Sequence, residues 1–339
     1  MTTATMATLS RTPCRVQAPA RLHLGFLDPG ATLGRRFGSI GLAIDALATI
    51  ITAVPHDELI VDGVDDHGRI VDLIERVCAH FRLPPRFRLT IEQRIPEHAG
   101  LGSGTQLALA VGTALTVMHG RPVSAGELAG TLGRGRRSGI GVGLFDQGGL
   151  IVDAGHGPAT ITPPLISRLE FPADWRIILV FDRASAGLSG GAEVQAFADL
   201  EPMPVGDAAH LCHLTLMRLL PAITEREFEP FATAIGEIQA IVGDHFAGVQ
   251  CGRFTSAAVC QAITLLVERH GLRGVGQSSW GPTGFAFAPD ERTAQAALAS
   301  LRDRFTAVPQ LEFLIAQARN RGAEVTALHS AEPRRRAGG

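Results

Sequence analysis

The run Pro96-Glu97-His98-Ala99-Gly100-Leu101-Gly102-Ser103-Gly104-Thr105-Gln106 sets glycines and hydroxyl residues immediately ahead of the apolar stretch 107–118. That order has a chemical use. Glycines let the backbone approach a ligand closely, and the free N–H groups at a helix N-terminus, with the helix dipole behind them, attract an anion. A second glycine-rich run, GRGRRSGIGVGLFDQGG over 133–149, carries Arg134, Arg136 and Arg137 up to Ser138. Arginine grips phosphate and carboxylate bidentately, and arginines set among glycines are poorly placed for a merely solvated face. A third such segment, GVGQSSWGPTGFAF over 274–287, holds Gln277, Ser278 and Trp280 in an apolar context. Near the N-terminus, ARLHLGFLD (20–28) and GRRFGSIGLAID (34–45) add Arg21, His23, Asp28, Arg35 and Arg36. Arg21 and His23, two apart, share one face of a strand.

Composition narrows the chemistry. All 31 residues counted as Lys+Arg are arginine, so a lysine Schiff base, a pyridoxal-phosphate lysine and a Walker-type phosphate lysine are excluded. The formal net charge of −2 gives no electrostatic reason for a nucleic-acid partner. The cysteines, Cys14, Cys78, Cys212, Cys251 and Cys260, are odd in number and form no CxxC, which points away from a disulfide framework or zinc knuckle and fits a cytoplasmic protein. The N-terminal MTTATMATLSRT lacks a signal peptide's apolar region, and the apolar run 107–118 is too short to span a bilayer, so no membrane partner is expected. His210 and His213 have metal-like helical spacing, but without a carboxylate the pair reads as incidental.

Alternating apolar residues predict strands at 14–27, 38–55 and 86–96, helical spacing predicts helices at 68–81 and 103–118, and Ser124 with Glu127 forms a capping box for another. Strands and helices do not alternate as βαβα, which gives an α+β class. The proline-containing 162–175 reads as a boundary between an N-terminal domain of 14–165 and a C-terminal one of 170–325, with disordered ends at 1–13 and 326–339.

In this order, the segments resemble the small-molecule kinases of the galactokinase, homoserine kinase and mevalonate kinase superfamily, the GHMP fold. The resemblance implies a ribosomal protein S5-like N-terminal half and an α/β sandwich C-terminal half. It also exposes two departures. Those kinases carry Ser-Gly-x-Asp, whose aspartate helps deprotonate the attacking hydroxyl; here Ser138-Gly139-Ile140 is followed by Gly141. A missing general base costs about 10²–10⁴-fold. They also carry a second serine after Gly-Leu-Gly-Ser, used toward Mg²⁺, where this chain has Gly104. Both departures argue against phosphoryl transfer and leave phosphate binding intact.

All five motifs together look like the β-ribofuranosylaminobenzene 5′-phosphate synthase family, a non-kinase branch of this fold. That resemblance implies condensation of 5-phosphoribosyl diphosphate with 4-aminobenzoate, with loss of CO₂ and diphosphate and formation of a C–C bond, toward methanopterin-type one-carbon carriers. 4-Hydroxybenzoate differs from that acceptor only in its para group. No base is needed, because loss of the carboxylate restores the aromatic ring. The implied binding set is Arg21, Arg35, Arg36, Gly100, Gly102, Ser103, Gly104, Thr105, Gln106, Arg134, Arg137, Ser138, Gln277, Ser278 and Trp280, with His23, Asp28 and Arg136 as catalytic residues. Mg²⁺ is expected on the diphosphate, held by Asp28 or Asp146, with no organic cofactor, and a homodimer is expected. Asp28-Pro29-Gly30 equally reads as a turn, His23 as a satisfied core histidine and Trp280 as a packed core residue. An ATP-dependent kinase and a non-catalytic binder of a phosphorylated metabolite are the alternatives.

Overall fold

The computed structural model describes residues 11–63, 67–187, 190–250 and 252–328. In chain order the elements are β1 (Cys14–Asp28), β2 (Phe37–Pro55), β3 (Ile60–Asp62), α1 (His67–Phe81), β4 (Phe87–Gln93), α2 (Ser103–Met118), α3 (Ala125–Thr131), α4 (Ile140–Gln147), β5 (Leu150–Asp153) and β6 (Leu165–Leu169). They continue as β7 (Arg176–Asp182), α5 (Gly190–Asp199), α6 (Val205–Leu214), a π-helical turn (Thr215–Leu219), α7 (Leu220–Glu225), α8 (Phe228–Gln250) and α9 (Ala257–His270). The last are β8 (Val275–Gln277), β9 (Thr283–Ala288), α10 (Glu291–Arg304), β10 (Leu311–Ala316) and β11 (Glu324–Ala327). The class is α+β, as expected.

One sheet runs β11-β1-β2-β4-β3, with β5 pairing to β2 and β6 to β5; the other runs β10-β7-β9-β8. In β1, burial alternates at Cys14, Val16 and Ala18 and then becomes nearly continuous. Alternation marks a strand covered on one face. The continuous part begins where α6 and α8 of the C-terminal half pack on it as well. Two register shifts interrupt the β1–β2 ladder, between Pro19 and Ala20 and between His23 and Gly25. The second lies beside a residue that lines the site, where a bulge re-aims side chains.

Helix α2 is apolar nearly all round, and a helix of that kind belongs inside. It packs against β1 and β2 and is contacted by α1, α3 and α4, leaving its N-terminus as the end that reaches the cavity described below. The halves on either side of the boundary share a core, in which Leu22, Leu24 and Ile40 of the first sheet join Phe231, Ile235, Phe285 and Phe287. The last strand returns to the first: β11 pairs antiparallel with β1. Both ends are tied in as far as they are described, through Thr12 N to Met118 O at 3.0 Å and Leu328 N to Pro13 O at 2.7 Å. The remainder of the ends expected to be disordered, 1–10 and 329–339, lies outside the described residues, as does Cys251. Cys14, Cys78, Cys212 and Cys260 are free thiols.

Candidate active site

The opening glycine turn forms as its sequence predicts. Gly102 caps α2 in the left-handed conformation, φ 80° and ψ 17°, and no side chain caps the helix. Thr105 and Gln106 N–H both turn back to Gly102 O at 3.1 Å. The uncapped end is an anion site in waiting. The third glycine segment fixes where it points. Ser278 Oγ donates to Gly100 O at 2.7 Å and accepts from His23 N at 3.0 Å, and Thr283 Oγ1 donates to Ala99 O at 2.6 Å. The two loops approach so closely that a Cβ at Gly100 would lie 2.1 Å from Ser278 O.

Around this turn lies a cavity of about 870 Å³ whose lining includes Arg21, Arg36, Arg69, Arg134, Arg136 and Arg137. A Cβ at Gly104 would stand 3.0 Å from Arg69 Nη2 and 3.6 Å from Arg134 Nη1. The glycine found where the kinases have serine is therefore the residue that lets guanidinium groups sit over the helix N-terminus. Arg134 Nε and Arg137 Nη1 are buried without a hydrogen-bond partner. Burial pushes Arg21 down to about 10. Arg134 is lowered too, first by burial and then by Arg69 and Arg76. Desolvated, mutually repelling cations with unused donors are costly in isolation and are stabilised by an arriving anion. Two carboxylates join them in the lining. Glu97 pairs with Arg69 at 3.0 Å and also with Arg94. Glu193 pairs with Arg137 at 2.7 Å, yet burial outweighs that pairing and raises its pKa.

The second glycine run is held from behind by Asp153. This fully buried carboxylate accepts from Gly139 N at 2.9 Å and Gly155 N at 2.8 Å, and Ser138 Oγ lies 3.3 Å away as a further donor. Gly141 lines the cavity beside Thr105: a Cβ there would lie 3.2 Å from Thr105 Cγ2, and its carbonyl accepts from Gln106 Nε2 at 2.8 Å. An aspartate at 141 requires Thr105 to give way by a few tenths of an ångström. The two lining carboxylates, Glu97 and Glu193, are paired with arginines. Gly141→Asp is accordingly expected to lower the melting temperature and to confer no ATP-dependent phosphoryl transfer; a melting curve and an ATP-consumption assay check both.

Of the residues singled out in the sequence, Arg21, His23, Arg36, Gly100, Gly102, Ser103, Gly104, Thr105, Arg134, Arg136, Arg137 and Ser138 come together in the lining. Others do not. Asp28 Oδ2 accepts from Thr32 N and Thr32 Oγ1, both at 2.7 Å, in the turn after β1, and its Oδ1 is buried without a partner. Asp146 is exposed at the far end of α4 from Gly141. Arg35 donates to Ala154 O and Gly155 O, bracing the loop after β5. Gln106 and Ser278 are the ties already described. Gln277 accepts from Thr255 N at 2.6 Å and holds the 274–284 loop. Trp280 is buried, edge-on to Phe197 at 5.2 Å and Phe246 at 4.6 Å, and with Gln277 it lines a smaller adjoining pocket that shares His23 and Phe26 with the cavity. His210 pairs with Glu237 at 2.7 Å, away from the cavity.

His23 does reach the lining, but as a neutral group. Burial, reinforced by Arg21, depresses its pKa well below 6.5, and its Nε2 has no partner. It is suited to orienting a ligand and not to shuttling protons near neutrality. A histidine whose pKa falls on folding is protonated first in the unfolded chain. Its contribution to stability is therefore complete above about pH 6.5 and is lost as pH falls below it, by at most about 1.4 kcal/mol per pH unit for one residue. His119, His245 and His270 shift in the same direction. The melting temperature should fall below that pH, and less steeply in His23→Gln.

Known proteins resemble the chain over most of its length. The model for the GHMP kinases N terminal domain matches residues 69–151, and that for GHMP kinases C terminal matches residues 219–307. The beta-ribofuranosylphenol 5'-phosphate synthase of Methanothermobacter thermautotrophicus is 32% identical over 303 residues, covering 83% of this chain and 90% of that protein. The protein of the same name from Archaeoglobus fulgidus is 32% identical over 325 residues, 92% of this chain and 99% of its own. The chain belongs to this synthase family. Among solved structures, homoserine kinase from Cytophaga hutchinsonii superposes with a TM-score of 0.59 at 15% identity, covering 96% of this chain and 100% of its own. A mevalonate kinase does so at 0.63 and 12%, covering 90% and 99%. At such identities the kinases speak for the fold alone.

Within the synthase fold, several lining residues carried no local signal. Arg69 arrives from α1 and Glu193 from α5, while Phe26, Phe37 and Phe197 read as ordinary core positions. Asp153 ends a strand of four buried residues, and its role depends on a turn folded back over it. No helix among the described residues is long and apolar enough to cross a membrane.

Proposed function

We propose that this chain condenses 5-phosphoribosyl diphosphate with a para-substituted benzoate, releasing CO₂ and diphosphate, as its family resemblance implies. The observation that carries the reading is the arginine-lined cavity over an uncapped helix N-terminus, in which both positions that serve phosphoryl transfer in the kinases are glycine. The relatives' names specify a phenol product. An aminobenzene product needs 4-aminobenzoate in place of 4-hydroxybenzoate, and the two acceptors share ring and carboxylate.

The donor's phosphates are anions, and the cavity offers them the free N–H groups of the α2 N-terminus with guanidiniums around it. As the bond to diphosphate breaks, positive charge develops on the ribosyl carbon, as in glycoside chemistry. The ring carbon bearing the carboxylate supplies the electron pair for the new C–C bond. The C–CO₂ bond then breaks, and its electron pair restores aromaticity. No proton has to be removed by the protein, which is consistent with a glycine at 141 and a neutral His23. The arginines bind, orient and accept the departing negative charge.

A divalent cation fits this cavity in one way. Among the described residues no group of three or more His, Cys, Asp or Glu side chains is placed to hold a metal. A magnesium carried on diphosphate needs only one or two carboxylates. With Asp28 and Asp146 outside the lining, Glu193, a lining carboxylate beside Arg137 and Arg21, is the candidate to hold it. Bound there, magnesium would offset charge on the leaving diphosphate. In Glu193→Gln, calorimetry should show metal-free diphosphate binding at least as well as in the wild type, because the cavity loses a negative charge, while the gain on adding Mg²⁺ shrinks. A full Mg²⁺ gain in the variant would remove Glu193 from the metal.

The test of the function is product identity. Incubation with Mg²⁺, 5-phosphoribosyl diphosphate and either benzoate should give, by mass spectrometry, the sum of the two substrates less CO₂ and diphosphate. Unchanged substrates would contradict it.

A further inference from the structure

The cavity has two chemically different linings. Around Gly102 and Gly104, guanidiniums hang over bare backbone. Elsewhere they lie on aromatic rings: Arg36 stands 5.0 Å from the centroid of Phe37, and Arg137 stands 5.4 Å from that of Phe197. Phe26, Phe37 and Phe197 form a mutually packed triangle with centroid separations of 5.5, 5.7 and 5.4 Å. All three contribute to the lining while keeping 6%, 8% and 6% of their surface exposed.

A ribosyl phosphate has no use for such a wall, since its hydroxyls lose water there without gaining partners. An aromatic carboxylic acid matches it point for point. A ring packs edge-to-face on phenylalanines. A guanidinium stacked on a ring keeps its in-plane N–H groups for a carboxylate at the ring's edge. Arg137 Nη1 is such a donor, buried and unpartnered.

We propose that the Phe26–Phe37–Phe197 wall seats the acceptor ring, with its carboxylate between Arg36 and Arg137. This rests on the synthase reading and deepens it. It moves the aromatic contact from Trp280, which packs edge-on to Phe197, to Phe197 itself.

Steady-state kinetics in both substrates tests the seat, using wild type, Phe197→Leu and Arg36→Gln. The acceptor KM should rise about tenfold or more in each variant, the scale of one lost aromatic or charged contact, with the donor KM within about threefold of wild type. The thermal shift produced by inorganic diphosphate should persist in both, which establishes that they are folded and that the donor side is intact. A test without variants runs beside it. Benzoate should compete with the acceptor in the wild type, and cyclohexanecarboxylate, which has the carboxylate but no aromatic ring, should not. An unchanged acceptor KM, a parallel rise in both KM values, or equal competition by the two acids would overturn the seat while leaving the synthase standing. No product from either benzoate in the wild type would sink both.

Discussion

Arg134→Ala is expected to cost about 10²–10³ in kcat/KM for the ribosyl donor and, at the same time, to leave the fold as stable or more so. Truncating one partner of a desolvated charged contact costs about 2–5 kcal/mol, and about 1.4 kcal/mol is a factor of ten. In the unliganded protein, however, this guanidinium has little to lose. Its Nε is buried without a partner, and burial together with Arg69 and Arg76 already disfavours its charge. Removing it relieves that repulsion. Opposite signs for activity and stability are what a residue maintained for its ligand should show. Steady-state kinetics beside a melting curve reads both, and a destabilised variant with normal donor kinetics would make Arg134 a structural residue.

Asp153→Ala should fail in the other direction, through structure first. It strips the acceptor from Gly139 N and Gly155 N and from the Ser138 hydroxyl, all gathered on one fully buried carboxylate. Each buried donor left unsatisfied costs about 1–3 kcal/mol, so a loss of about 3–5 kcal/mol is expected after partial relaxation. The turn it releases carries Ser138 and runs into the start of α4, both part of the lining. Turnover should therefore drop even at temperatures where the variant remains folded. Asp153→Asn keeps the shape and one acceptor and should lie between the two. Denaturant titration and single-temperature kinetics separate these effects, and a wild-type melting curve for Asp153→Ala would contradict the assignment.

The contrast between these residues explains what the sequence could disclose. The glycine turn ahead of α2 was legible because its whole mechanism is local: flexible residues, then an apolar helix, in one continuous run. The arginines of 134–137 were legible because they are bracketed by glycines. Asp28, expected as a metal ligand, stands outside the lining, where Asp-Pro-Gly obeys turn chemistry as its alternative reading had it. Asp146 stands five residues beyond Gly141 on one short helix, exposed and outside the lining that Gly141 shares. Arg69, Glu193 and the phenylalanine triangle were hidden for a different reason. Each belongs to an element with an ordinary core or surface pattern, and only tertiary packing brings it to the cavity. The two glycines at 104 and 141 sit between these cases. Their identity departs from the kinase pattern, and only the structure reveals that one makes room for guanidiniums and the other packs against Thr105.

The most direct test of the central claim follows the acceptor's own carboxyl carbon. The protein is incubated with Mg²⁺, 5-phosphoribosyl diphosphate and carboxyl-labelled 4-aminobenzoate or 4-hydroxybenzoate, and released CO₂ is counted beside ATP consumption in a parallel reaction. Labelled CO₂ that appears only when the ribosyl donor is present, with no ATP consumed, is the predicted result. ATP consumption without labelled CO₂ would contradict it and return the chain to the kinases whose fold it shares.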